Sequence, residues 1–168
     1  MRKQKPVALY IVSILIIIFG SLYLYTRPGT IEELYDFIDL DNISMAAAQA
    51  TVHTADGEET HATKFYGHGE EQYDQLMEMV RNMTFKRTLR TLKPLPEVRT
   101  APEIQPGMYH LTARYFNEDD GFDLHLFYDE LTITCYTDNL TEEYIAVVEP
   151  DTWAQDYLDF VLENGKVG

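Results

Sequence analysis

Five histidines, a run of acids around one glycine, a single cysteine and a knot of basic residues are the features of this 168-residue chain whose chemistry could go beyond structure. His53 and His61 flank Asp56-Gly57, a pair suited to a two-residue type I′ hairpin turn. In that register His53 faces Thr60, and His61 faces Val52 on the other side of the ribbon, so the two cannot share an ion. His68 falls in a loop, and His110 and His125 fall on different strands. A pair with no third ligand at metal spacing does not make a zinc site. Asn117-Glu118-Asp119-Asp120-Gly121-Phe122-Asp123 offers oxygen ligands around a glycine. It lacks the spacing and distal glutamate of a calcium loop and reads as a hairpin connection. Cys135 alternates with Leu131 and Ile133, as a small buried hydrophobe does, and a lone cysteine forms no internal disulfide.

The basic residues carry the sharper signal. Arg81, Lys86, Arg87, Arg90, Lys93 and Arg99 supply six of the nine Lys/Arg that follow Arg27. They make an otherwise acidic domain dipolar, and form a candidate interaction patch for an acidic partner or the envelope surface. Equally, they could offset the domain's own carboxylates through surface pairs of little individual worth. No Gly-x-Ser-x-Gly, P-loop, dinucleotide fingerprint or His-Glu-x-x-His occurs, so no catalytic, metal or cofactor-binding residue is expected. Asn42, Asn82 and Asn139 stand in glycosylation sequons, which have meaning only in a eukaryotic secretory pathway.

Whatever these residues do is bounded by the start of the chain. Between Lys5 and Arg27 there is no charge, and Val7 to Phe19 is almost wholly aliphatic or aromatic. As helix, Pro6 to Tyr25 measures about 30 Å, the hydrocarbon thickness of a bilayer. A cleaved secretory signal is the rival, but Ile18-Phe19-Gly20-Ser21 places bulk where a signal peptidase needs small residues. Arg2, Lys3 and Lys5 precede the span, whereas Glu32, Glu33, Asp36, Asp39 and Asp41 follow it. The N-terminus is therefore expected inside and residues 28–168 outside a plasma membrane.

Beyond the span, Thr30-Ile31-Glu32-Glu33 has capping-box spacing and predicts a short helix to about Phe37. Ala46 to Ala55 should pair with Glu58 to Tyr66 in a hairpin, and Tyr73, Leu76, Met77 and Val80 mark a helix over about 70–83. Thr84 to Leu92 predicts a strand, followed by a proline-rich connection over 93–107. Met108–Phe116, Phe122–Tyr128, Leu131–Thr137 and Tyr144–Val148 predict an antiparallel meander. Trp153, Tyr157, Phe160 and Val161 stripe a final helix that stops at Asn164-Gly165.

The expected fold is α+β: one curved antiparallel sheet of about five or six strands packed by two main helices, preceded by a single transmembrane helix. The expected domains are a cytoplasmic basic start at 1–5, the span at 6–26, a juxtamembrane linker and short helix at 27–42, and an acidic extracytoplasmic domain at 43–168. All 28 Asp/Glu and only nine Lys/Arg follow Arg27, a net charge of −19 that excludes nucleic acid as a partner. Arg2-Lys3-Gln4-Lys5, the aliphatic run Val7 to Phe19 and the aromatic C-terminal helix together resemble the small membrane-anchored extracytoplasmic proteins of Gram-positive bacteria. That resemblance implies an envelope location and carries no activity and no functional residues. Two function classes follow. One is a non-catalytic envelope module that binds a protein or a cationic ligand, and the other is a metal-dependent hydrolase or other enzyme using the histidines and clustered acids. A structural tether or sensor input is a third.

Overall fold

The computed structural model describes residues 5–92, 105–118, 120–127, 130–136 and 141–168, with the side chains of 5–9, 91 and 92 outside that description. A helix, α1, occupies Lys5–Tyr25. The expected span at 6–26 is thus helical, yet among the described residues no helix is long and apolar enough to cross a membrane.

After α1 the chain turns at once into the domain. Gly29 makes an isolated antiparallel bridge to Phe85. Helix α2, Ile31–Leu34, begins in the predicted capping box: Thr30 Oγ1 accepts from the Glu33 N–H, and Glu33 returns the bond to the Thr30 N–H. It stops at Tyr35, earlier than the expected Phe37. Ile31, Tyr35, Ile38 and Leu40 are buried in the same core as the sheet, so this segment packs as part of the domain.

The sheet has nine strands, more than the five or six expected. These are β1 Met45–Thr54, β2 Gly57–Ala62, β3 Tyr66–Gly67, β4 Thr84–Arg87, β5 Tyr109–Phe116, β6 Gly121–Phe127, β7 Glu130–Tyr136, β8 Thr141–Glu149 and β9 Lys166–Val167. All ladders are antiparallel, in the order β4-β8-β7-β6-β5-β1-β2-β9, with β3 pairing β1 beside that path. The excess comes largely from the two-residue strands β3 and β9, too short to carry a period of two. The predicted strand over Thr84–Leu92 is split into β4 and a 3₁₀ turn at Leu89–Leu92.

The hairpin register also differs from expectation. Thr54 pairs with Gly57 and His53 with Glu58, so Ala55 and Asp56 are the turn residues. Thr54 Oγ1 accepts from the Asp56 N–H and donates to the Gly57 carbonyl, which sets the turn one residue early. Gly57 takes a φ of 143°, open to glycine alone at little cost. The ladder shift is two residues, which preserves faces, so His53 and His61 remain on opposite sides.

Helices α3, Glu71–Arg81, and α4, Trp153–Asn164, cover one face. Tyr115 on β5 locks both: its hydroxyl donates to the Leu76 carbonyl of α3 at 3.2 Å and meets the Tyr157 hydroxyl of α4. Ala46, Ala48 and Ala50 of β1 lie beneath them, buried. From these residues the core runs across the sheet through Leu111, Leu124 and Ile133 to Phe85.

Candidate functional site

The face of the sheet opposite α3 and α4 is met, among the described residues, by the 3₁₀ turn Leu89–Leu92, whose Arg90 lies over the Tyr144 ring at 4.7 Å and pairs with Glu130, and there the polar residues of the central strands converge. Alternation puts Phe122, Leu124 and Leu126 of β6 into the core, and so puts Asp123, His125 and Phe127 outward. The ladder sets Arg114 of β5 and Thr134 of β7 on either side of Asp123, and Thr112 and Thr132 on either side of His125. Asp123 is only 3% exposed on this face. Tyr136 donates its hydroxyl to Asp123 Oδ2 at 3.1 Å, and Arg114 Nε and His125 Nε2 each stand 3.6 Å from the same oxygen. Oδ1 is buried with no hydrogen-bond partner among the described atoms.

Burial raises the pKa of Asp123, and Tyr136, Arg114 and His125 offset only part of that rise. The sign of the linkage is unfavourable to folding: a carboxyl easier to protonate in the fold than out of it loses stability as pH climbs from the ordinary carboxylate value through the folded one. Asp123→Asn is therefore expected to melt a few degrees above the parent at pH 7, with the gap closing as pH falls towards 4. Thermal melts of the two proteins across that range check it. A variant more than about 1 kcal/mol less stable at pH 7 would mean that the pairing with Arg114 outweighs the burial.

His125 links two polar groups, with Nδ1 3.2 Å from Thr112 Oγ1 and Nε2 facing Asp123. Hydroxyl, imidazole and carboxyl thus stand in line, all on β5 and β6. At the far end of the same face His53 is 4% exposed, its Nδ1 3.2 Å from Glu58 Oε1, and its ring meets His110 edge-on at 5.0 Å. Burial and the neighbouring His53 hold the His110 imidazole below its ordinary pKa. Among the described residues no three of His, Cys, Asp and Glu converge to hold a metal ion. Of the other histidines, His61 pairs with Glu59 and His68 meets the Tyr73 ring at a tilt, centroids 4.6 Å apart.

The basic stretch does not gather. Arg81 pairs with Asp41 at 2.7 Å off the end of α3, Arg87 with Glu143, and Arg90 with Glu130, while Lys86 is exposed. Lys86 and Arg87 point to opposite faces because they are neighbours on β4. Lys93 and Arg99 lie outside the described residues. Cys135 is fully buried, with its thiol pushed up to about 12 by burial and by Glu143, which keeps it from acting as a thiolate. The acidic loop contributes to a cleft of about 70 Å3 between Asp39, Asn42 and Asp120, floored by Phe37 and Phe122.

Sequence reasoning weighs Asp123 only as a member of the acidic run 117–123, although the predicted strand Phe122–Tyr128 includes it and its alternation with Phe122 and Leu124 marks it as the one acid on the outward side of β6. No protein-family model matches this chain, and no curated protein or solved structure matches it.

Proposed function

We propose that this chain is a single-pass anchored protein, held by residues 6–26 in the plasma membrane with its acidic domain outside, and that it serves the cell envelope as a non-catalytic binding or accessory module. The observation that carries the anchoring is the surface of α1. Every residue from Tyr10 to Ser21 is exposed, Ile16 at 66% and Phe19 at 65% among them, while the apolar residues of the domain close into one core. A helix apolar on all sides has its natural solvent in lipid. Arg2, Lys3 and Lys5 before it and the acids after it favour the outward orientation of the domain.

Asp123 supports the binding role. A buried carboxyl whose pKa burial raises, on the face opposite α3 and α4, fits a site kept for use rather than for folding. The net charge of −19 beyond Arg27 favours a basic protein or cationic ligand and repels nucleic acid. Membranes of expressing cells should retain the full chain through alkaline carbonate, and protease added outside intact cells should cleave a C-terminal tag. Release by carbonate, or a shielded tag, defeats the anchoring. A photo-crosslinking residue at Gln49 or Glu142, both exposed on that face, should capture a discrete partner that the same probe at Asp74 of α3 does not. Equal capture from both sides defeats the assignment of the face.

The line Thr112–His125–Asp123 favours a second reading, an enzyme in which the imidazole activates the hydroxyl. Turnover of ester or amide probes by the purified chain, abolished in His125→Gln, would establish it over the first.

A further inference from the structure

The exit of α1 into the domain leaves almost no free chain. Thr26 still closes a helical turn, with its N–H and its hydroxyl both on the Leu22 carbonyl. Gly29, three residues on, exchanges two backbone hydrogen bonds with Phe85, at 2.9 and 2.8 Å, and so sits on the edge of β4 as an extra strand residue. Between these fixed points lie only Arg27 and Pro28, and proline restricts the second.

Arg87, two residues along β4, faces this junction. Its guanidinium donates to the Leu34 carbonyl at the end of α2, and its Nε stands 3.2 Å from Glu143 Oε2 on β8. The same oxygen accepts the Tyr35 hydroxyl at 2.9 Å. The guanidinium carbon lies over two rings, 4.7 Å from the centroid of Tyr35 and 5.7 Å from that of Tyr25. Tyr25 is the last residue of α1. One side chain thus touches the anchor, the linker helix and two strands of the sheet. Both ion-pair partners are largely withdrawn from solvent, at 27% and 19% exposure, where such contacts are least screened.

We propose that Arg87 clasps the anchor helix to the β4–β8 edge, so that helix and domain move as one body and a change of tilt or rotation in the membrane reaches the sheet. β8 carries the effect across: Glu143 faces the clasp, while Glu142 and Tyr144 on either side of it face the surface that holds Asp123. The chain would then be a transmitter rather than a domain on a slack tether. This rests on the membrane-anchored reading of the chain.

The test is a pulsed electron paramagnetic resonance distance between spin labels at Tyr23→Cys on α1 and Glu78→Cys on α3, both exposed sites, in the full chain in phosphatidylcholine nanodiscs. The clasp predicts one narrow distribution, broadened at least twofold by Arg87→Gln and also by Tyr25→Ala, which removes the anchor's contact without touching the core. A second pair, at Glu78→Cys and Asp159→Cys within the domain, should stay narrow in Tyr25→Ala. A broad distribution in the parent overturns the proposal, and so does a narrow one that neither substitution changes. Should Arg87→Gln loosen the intradomain pair too, Tyr25→Ala alone decides. A chain that does not enter nanodiscs defeats the anchoring instead, and the same distances in buffer still decide the clasp.

Discussion

Phe85→Ala is expected to cost about 3–5 kcal/mol and to lower the melting temperature by roughly 10 °C or more, a loss set by the size of the ring and its complete burial. Phe85 is fully buried, on a strand of only four residues. Its ring joins the core, while its backbone holds β4 to β8 on one side and to Gly29 on the other. The cavity left by the ring would therefore open where the sheet edge has least else to hold it. The loss should have a second signature, since β4 carries Arg87: hydrogen exchange at the Gly29 and Phe85 amides should rise towards that of free chain while the β5 and β6 amides stay protected. A melting temperature within a few degrees of the parent would show that β4 is peripheral to folding, and would remove the support on which the Arg87 clasp stands.

The parts of the fold legible in the sequence are those with a sustained period. β5, β6 and β7 alternate cleanly, and Leu111, Ala113, Tyr115, Phe122, Leu124, Leu126, Leu131, Ile133 and Cys135 all lie on the core side, as alternation requires. Helices α3 and α4 announce themselves by Leu76, Met77 and Val80 and by Tyr157, Phe160 and Val161, all buried. Trp153, the first member of the aromatic stripe, is only partly buried at the rim, so Tyr157 and Phe160 are the more important packing residues. β1 is harder to read, because Ala46 to Ala50 has the propensity of a helix. Ala46, Ala48 and Ala50 are buried in a strand because two helices pack down onto them, and small side chains let the helices approach.

The candidate site is less legible, for two physical reasons. A charge cluster in sequence becomes a surface patch only if the backbone keeps its side chains on one side. β4 does the opposite, sending Lys86 and Arg87 to different faces, and Arg81 belongs to a helix end. The environment of Asp123, conversely, is assembled by register alone. Arg114, His125 and Tyr136 come from three strands, and none stands out until the β5–β6 and β6–β7 pairings are known. The acid itself hides in a run of turn-forming residues whose last members are the first of a strand.

Gly121→Ala should be the second large loss, about 2–3 kcal/mol, and it bears directly on that site. Gly121 pairs with Phe116 on one side and Tyr136 on the other, and the two rings close over it with centroids 5.7 Å apart. Aromatic side chains sheltering a strand glycine in this way stabilise the sheet where the glycine contributes no side chain of its own. A Cβ at this position would stand 2.3 Å from Phe116 Cδ1 and 2.6 Å from the Tyr115 carbonyl oxygen. The ring can swing aside, but the carbonyl belongs to a central strand and cannot. Phe116→Ala combined with Gly121→Ala should therefore recover only part of the loss, and a double-mutant cycle measures how much. Displacing Phe116 also disturbs Tyr136, whose ring packs against it and whose hydroxyl is bonded to Asp123. Loss of that hydrogen bond removes one of the groups that offset the effect of burial, so the Asp123 carboxyl should titrate still further above an ordinary aspartate, read by carboxyl carbon chemical shifts against pH. An alanine variant as stable as the parent would mean that the strand backbone yields more readily than its central place implies. A destabilised variant with an unchanged Asp123 titration would show that Arg114 and the surrounding sheet, rather than Tyr136, determine the state of that carboxyl.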